Sequence, residues 1–159
     1  MNKDIQPVQE AGLSADQWNI IGKTTPTEKI KTRPGRGGQV FRYVEASYVI
    51  ELLNQIFNGL WDFEIVDQQV GKTQVWVKAK LIVKISPELT ITKTQFGGSD
   101  IKLKQDGTMV DIADDLKAAG QDALKKCASL LGIAADLYSK GEVEAKPTGL
   151  KEEILGGGY

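Results

Sequence analysis

The chain reads as an α+β domain in which a β-hairpin and a three-stranded antiparallel meander pack against helices. Three observations lead there. Residues 29–45 place a Gly-rich turn between two strand-like flanks. Residues 61–96 hold three strand-like runs separated by short turn signals. Two further segments, near 45–58 and 108–131, repeat apolar residues at helical spacing. A length of 159 residues suits one domain with a substantial core, expected here over residues 13–139.

Each element has its own signal. Residues 1–12 read as a loose arm. A first helix is expected from Ser14 to Gly22, with Ser14 and Gln17 forming a capping box and Leu13 stapled to Trp18. In the hairpin, Lys29 to Arg33 enters, Pro34 to Gly38 turns and Gln39 to Val44 returns. A second helix covers Glu45 to Asn58, where Ala46, Val49, Ile50, Leu53, Ile56 and Phe57 share a face and Asn58-Gly59 ends it. Strands then run from Trp61 to Asp67, Lys72 to Ile85 and Leu89 to Phe96. Gly71 and Ser86-Pro87 mark the turns between them. On the second strand Val75, Val77, Ala79, Leu81, Val83 and Ile85 alternate with Trp76, Lys78, Lys80, Ile82 and Lys84, so the first set should meet the helices.

Residues 97–107 read as a polar loop. Thr108 with Asp111 resembles a capping box opening a long helix to about Leu131, with Gly132 as its stop. Asp111, Asp114 and Asp115 suit the positive N-terminal end of that helix. A short helical segment through Ile133 to Tyr138 follows. The Gly-, Glu- and Lys-rich stretch from 140 to 159 reads as a flexible tail.

Composition excludes several chemistries. Histidine is absent and Cys127 is the only cysteine, so Ser-His-Asp and Cys-His catalysis, zinc clusters and intrachain disulfides are all ruled out. No apolar run approaches a membrane span. The N-terminus lacks the apolar region of a signal peptide, so the expectation is a cytoplasmic protein, in the host cytoplasm if phage-encoded. Gly22-Lys23-Thr24 and Gly71-Lys72-Thr73 look like the end of a phosphate loop. The glycine required five positions earlier is replaced by Gln17 and Val66, which rejects a phosphate-loop ATPase.

The formal net charge is −1, yet Lys29, Lys31, Arg33, Arg36 and Arg42 crowd into the hairpin. A polyanion can be held locally by a chain that is not basic as a whole. The long helix offers a second cationic element. Leu116, Ala119, Gly120, Ala123, Leu124, Cys127, Leu130 and Leu131 fall on one side; Lys117, Gln121, Lys125 and Ser129 form a row on the other, with Lys126 at its edge. Small residues at 119, 120 and 123 would let a sheet approach closely.

The order of these pieces resembles the Rad52 family of single-strand annealing proteins, including relatives carried by phages. Arg33 precedes the turn of Gly35, Gly37, Gly38 and Gln39. Tyr43-Val44-Glu45 stands where the family typically has Tyr-Ile-Glu-Gly. Leu53-Asn54 and Phe57 follow on an apolar helix. Asn58-Gly59-Leu60-Trp61 is similar to Asn-Gly-Trp, and the meander ends in Phe96-Gly97. Asp122-Ala123-Leu124-Lys125-Lys126 is similar to Asp-Gly-Leu-Lys-Arg. The resemblance covers about residues 14–135. Ala46, Ala123 and Arg36 stand where the family has glycines, and Ser129 where it often has arginine. Lys84, Lys102 and Lys104 only approximate the family's outer-face lysines.

The resemblance implies an ATP-independent, cofactor-free protein that is not an enzyme. It would bind single-stranded DNA and anneal complements in recombination and repair, as a ring-shaped homo-oligomer. It would also have possible recombination or replication partner proteins. Carried over by position, Arg33, Tyr43, Lys117, Gln121, Lys125 and Lys126 would line its DNA groove. Arg33, Lys117, Lys125 and Lys126 would contact phosphates, and Gln121 and Ser129 would donate to phosphate oxygens. Gly37 and Gly38 would let backbone amides approach the strand. Arg36 at the turn tip is open between solvation and DNA contact. Tyr43 is open between packing on the sheet and stacking on a sugar or base. Trp18 and Trp61 read as core or subunit interface. Trp76 with Lys78 and Lys80 is open among a nucleic-acid face, an oligomer interface and a solvated face.

Two rival functions remain. A metal-dependent nuclease would use Asp111, Asp114 and Asp115 to hold magnesium. An RNA-binding or RNA-chaperone module is suggested by the lone Arg36-Gly37-Gly38 triplet, with discrimination resting on the 2′-hydroxyl.

Overall fold

The structure, a computed structural model, describes residues 12–138. The expected arm, apart from Gly12, and the expected tail lie outside those residues.

Helix α1 (Ala15–Ile21) starts as the sequence predicts. The Gln17 backbone N–H donates to the Ser14 hydroxyl oxygen at 3.2 Å, and the Ser14 N–H donates to the Gln17 side chain at 2.8 Å. The Gln17 amide also donates to the Ile56 carbonyl at 2.9 Å, which ties α1 to the end of α2. Strands β1 (Lys31–Pro34) and β2 (Val40–Tyr43) form the hairpin. Its turn is a single 3-10 turn, Arg36–Gly38. Gly37 and Gly38 have φ of 69° and 76°, a region that side-chain-bearing residues disfavour, so this bend needs its glycines. Entry into β1 is shorter than expected, because Lys29 closes a separate 3-10 turn, Thr27–Lys29.

Helix α2 (Ala46–Phe57) ends at Asn58, in the left-handed conformation, and buries Val49, Leu53, Ile56 and Phe57. Strands β3 (Trp61–Val70), β4 (Gln74–Lys84) and β5 (Thr90–Asp100) form an antiparallel meander with β4 in the centre. The alternation on β4 holds: Val75, Val77, Ala79, Leu81 and Val83 are buried against helices. Helix α3 (Ile112–Ser129) lies across β4 and β5.

Three expectations are corrected. First, β5 continues through Gly97 and Gly98 to Asp100, where a loop was expected. A Cβ on Gly97 would lie 2.2 Å from the Ala119 carbonyl oxygen and 2.3 Å from the Ala123 nitrogen. The glycine therefore marks backbone-to-backbone contact between sheet and helix, not a loop.

Second, Thr108 does not begin α3. Its N–H and hydroxyl both donate to the Asp106 carboxylate, at 2.9 and 2.6 Å. The cap is Asp111, which accepts from the Ala113 and Asp114 N–H groups.

Third, two apolar residues lie outside the core. Trp18 is 56% exposed, and Leu130, beyond the last turn of α3, is also exposed. The chain turns away there at Gly132, with φ of 96°. Trp61, by contrast, packs on the core and donates from its indole to Asn54 at 2.7 Å.

Candidate nucleic-acid interface

The hairpin stands off the core: all four β1 residues are exposed. Its base is held by Val44, which is fully buried, and by an ion pair between Lys31 and Glu45. Residues on one strand face alternate, so Lys31, Arg33, Phe41 and Tyr43 share one side of the hairpin, while Arg42 points to the other. Of the five hairpin cations, Lys29 lies 3.8 Å from Glu51 and over the Tyr48 ring, and Lys31 is paired with Glu45. The basic stretch is therefore not a single patch.

Arg33 and Lys125 do meet. The Arg33 guanidinium lies 5.8 Å from the centre of the Tyr43 ring, and the Lys125 ammonium lies 5.5 Å from the same centre. Lys125 also donates to the Val44 carbonyl at 3.1 Å, so it bridges α3 to the base of the hairpin. The ring's negative face favours both cations, each by roughly 0.5–1 kcal/mol at a solvent-accessible site.

The other residues named above fall into three groups. Lys117 and Gln121 extend the α3 row from Lys125 by successive helical turns and are exposed, with Lys117 3.4 Å from Asp114. Lys126 turns toward β5 and pairs with Asp122 at 3.1 Å; the same carboxylate accepts the Gly98 N–H at 3.0 Å. The Ser129 hydroxyl donates to the Lys126 carbonyl at 2.7 Å, so its proton already has an acceptor. Arg36, Gly37 and Gly38 form the exposed tip of the hairpin.

The outer sheet face looks different from the groove. Trp76 meets Phe96 edge-on at 5.7 Å and donates to Gln69 at 3.1 Å. Lys78 and Lys80 stand opposite Asp67 and Glu64 in the strand register, so acids flank the lysines. Lys84 and Lys102 lie toward opposite ends of the sheet.

The three aspartates of the nuclease reading do not converge. Asp111 caps α3, Asp114 pairs with Lys117, and Asp115 is fully buried. Asp115 accepts the Lys102 N–H at 3.2 Å, and its second oxygen lies 3.8 Å from the Lys102 ammonium. Among the described residues, no group of three or more His, Cys, Asp or Glu side chains could hold a metal ion. The burial of Asp115 was missed, although Asp115, Ala119, Ala123 and Cys127 follow one another at four-residue spacing on the buried side of α3. Lys93 was missed too. It stands opposite Leu81 in the register, on the sheet face that α3 covers.

A cleft of about 80 Å³ between α1, α2 and the Ile133 turn contains none of these residues, and it is too small for a drug-sized ligand. Among the described residues, no helix is long and apolar enough to cross a membrane.

The architecture is thus an α+β domain with one long helix laid on a meander and a cationic hairpin beside it. The chain matches the Rad52/22 family of double-strand break repair proteins over residues 15–153 and belongs to that family. The family acts in double-strand break repair and recombination, and its members bind DNA, typically as oligomers. No curated protein matches the chain.

Proposed function

We propose that this protein binds single-stranded DNA through its phosphates and anneals complementary strands, without nucleotide or metal, as a homo-oligomeric ring. The observation that carries the reading is the convergence of Arg33 and Lys125 on Tyr43. Two elements far apart in sequence bring positive charge to one place, and the exposed Lys117 and Gln121 continue the line along α3.

Annealing needs no covalent step. Two polyanions repel, and the barrier falls when cations neutralise phosphates while bases stay open to pairing. Arg33, Lys117 and Lys125 take phosphates in this reading, Gln121 donates to a phosphate oxygen, and the Gly37 and Gly38 amides approach the backbone. Lys126 contributes less, because Asp122 offsets its charge. Tyr43 acts as the shared base on which the two cations rest. A groove with one such ring, and no row of aromatics, leaves bases unstacked and available.

The test is an annealing assay with complementary oligonucleotides in EDTA and no nucleotide, beside competition by matched RNA. Annealing under those conditions with preference for DNA supports the reading. A strict requirement for ATP or magnesium, or equal preference for RNA, contradicts it.

A further inference from the structure

We propose that copies of this chain associate head to tail, the finger at residues 102–110 of one copy seating on the uncovered half of β3 in the next. The inference rests on the multi-copy part of the reading above and not on its strand-binding part.

Eleven large apolar side chains are exposed among the described residues, and six of them form two groups. Leu103, Met109 and Val110 belong to the finger; Ile65, Val66 and Val70 belong to β3. Each of the six is 43–53% exposed. Exposed apolar side chains gathered in this way mark association surfaces.

The finger is a built element. Leu103 and Met109 pair as a β-bridge, and the Lys104 N–H donates to the Thr108 carbonyl at 2.8 Å. The Val110 N–H donates to the Lys102 carbonyl at 3.0 Å, and buried Asp115 holds the finger's root through the Lys102 N–H. Its apolar side chains are thus presented by a fixed backbone.

The β3 surface arises from where α3 lies. The helix covers β4 and β5, and the main core reaches Trp61 and Phe63 on β3. Beyond Phe63 that face is left open: Ile65 and Val70 share it, and the register shift between Ile65 and Asp67 sets Val66 out of the alternation. As an edge strand, β3 also presents unpaired backbone groups on its free side.

Two features select a second copy as the occupant. The finger follows β5 and the open surface is on β3, so they lie on opposite edges of one sheet. Unlike surfaces on opposite edges cannot make a two-fold contact; they repeat from copy to copy. Charge is complementary as well. Lys102 and Lys104 sit on the finger, while Asp62, Glu64 and Asp67 run along β3. Such pairing aligns two surfaces and speeds their encounter.

The experiment uses the full chain with Val70→Asp, which disables the β3 surface, and Leu103→Asp, which disables the finger. Each is measured by sedimentation beside a thermal melt. Wild type is expected as a multi-copy particle, and each variant at the single-chain mass of 17.4 kDa. An equimolar mixture of the two should give particles of twice that mass and no larger, because one good finger and one good β3 surface remain. Asp67→Lys should weaken assembly and Lys104→Glu should restore it, which serves if either aspartate variant fails to fold. Arg33→Ala should keep the wild-type mass, so failure of strand binding is read separately. A single-chain wild type, a folded variant that keeps the wild-type particle, a mixture that stays single-chain, or a charge pair without rescue would each overturn the proposal.

Discussion

Arg33 on the hairpin and Lys125 on the long helix rest on the same tyrosine ring, at 5.8 and 5.5 Å from its centre. Strand register explains the first approach. Arg33 pairs with Phe41, so Tyr43 is its diagonal neighbour on the same hairpin face. The hydrogen bond from Lys125 to the Val44 carbonyl explains the second.

The ring itself can be tested. Tyr43→Phe keeps an aromatic face under both cations and should leave strand affinity close to wild type. Tyr43→Leu removes it and should weaken binding about fivefold, corresponding to roughly 1 kcal/mol of cation–ring attraction. The salt slope should not change, since both cations remain. Fluorescence anisotropy with a labelled oligonucleotide at several salt concentrations reads both quantities. Equal affinities for the two variants would remove the ring from the site.

Gly97 and Gly98 give a paired stability test. A methyl group at 97 would collide with the α3 backbone, whereas at 98 its nearest neighbour is the Val75 carbonyl oxygen at 3.5 Å. Gly97→Ala should destabilise the domain by about 2 kcal/mol or more, the range for overpacking a rigid contact. Gly98→Ala should be nearly neutral. Chemical denaturation of both variants settles the comparison, and similar midpoints would contradict the close approach of β5 to α3.

These glycines also show what the sequence made legible. Alternation on β4 and the capping signal at Ser14 depend on nearby residues, so both could be read directly. Gly97 could not. Its neighbours across space, Ala119 and Ala123, lie on another element, and a glycine pair beside polar residues looks like a loop. The small residues on α3 did predict close sheet contact, without indicating where on the sheet it would fall. At the site, the residue types on the hairpin and on α3 were readable, but their pairing was not. Lys126 and Ser129 have partners, Asp122 and the Lys126 carbonyl, that appear only once α3 is in place beside β5.

Asp115 should matter for the finger more than for the helix. Asp115→Ala leaves the Lys102 N–H without its acceptor, and loss of a buried hydrogen bond of this kind costs about 1–3 kcal/mol. Proteolysis within 102–110 should accelerate in that variant, while cleavage in the 84–90 turn stays unchanged. Equal protection at both places would show that the carboxylate does not anchor the finger.

Cys127 should be chemically quiet. Burial against Ala79 raises its thiol pKa above the ordinary value, so the folded state disfavours the thiolate. For a raised pKa, the associated stability is complete below the unfolded cysteine's pKa and is lost as pH rises through the higher folded value. At pH 8 a thiol reagent should therefore label the native chain far more slowly than the denatured one. Rapid native labelling would contradict the burial.

The central claim is that Arg33 and Lys125 grip one strand together, and the salt dependence of single-strand binding tests it most directly. Arg33→Ala and Lys125→Ala should each lower the slope of log affinity against log salt by about 0.7 for every phosphate that is no longer neutralised, and the double variant should lower it by about the sum. Folded variants that weaken binding with an unchanged slope, or that leave affinity intact, would contradict the claim.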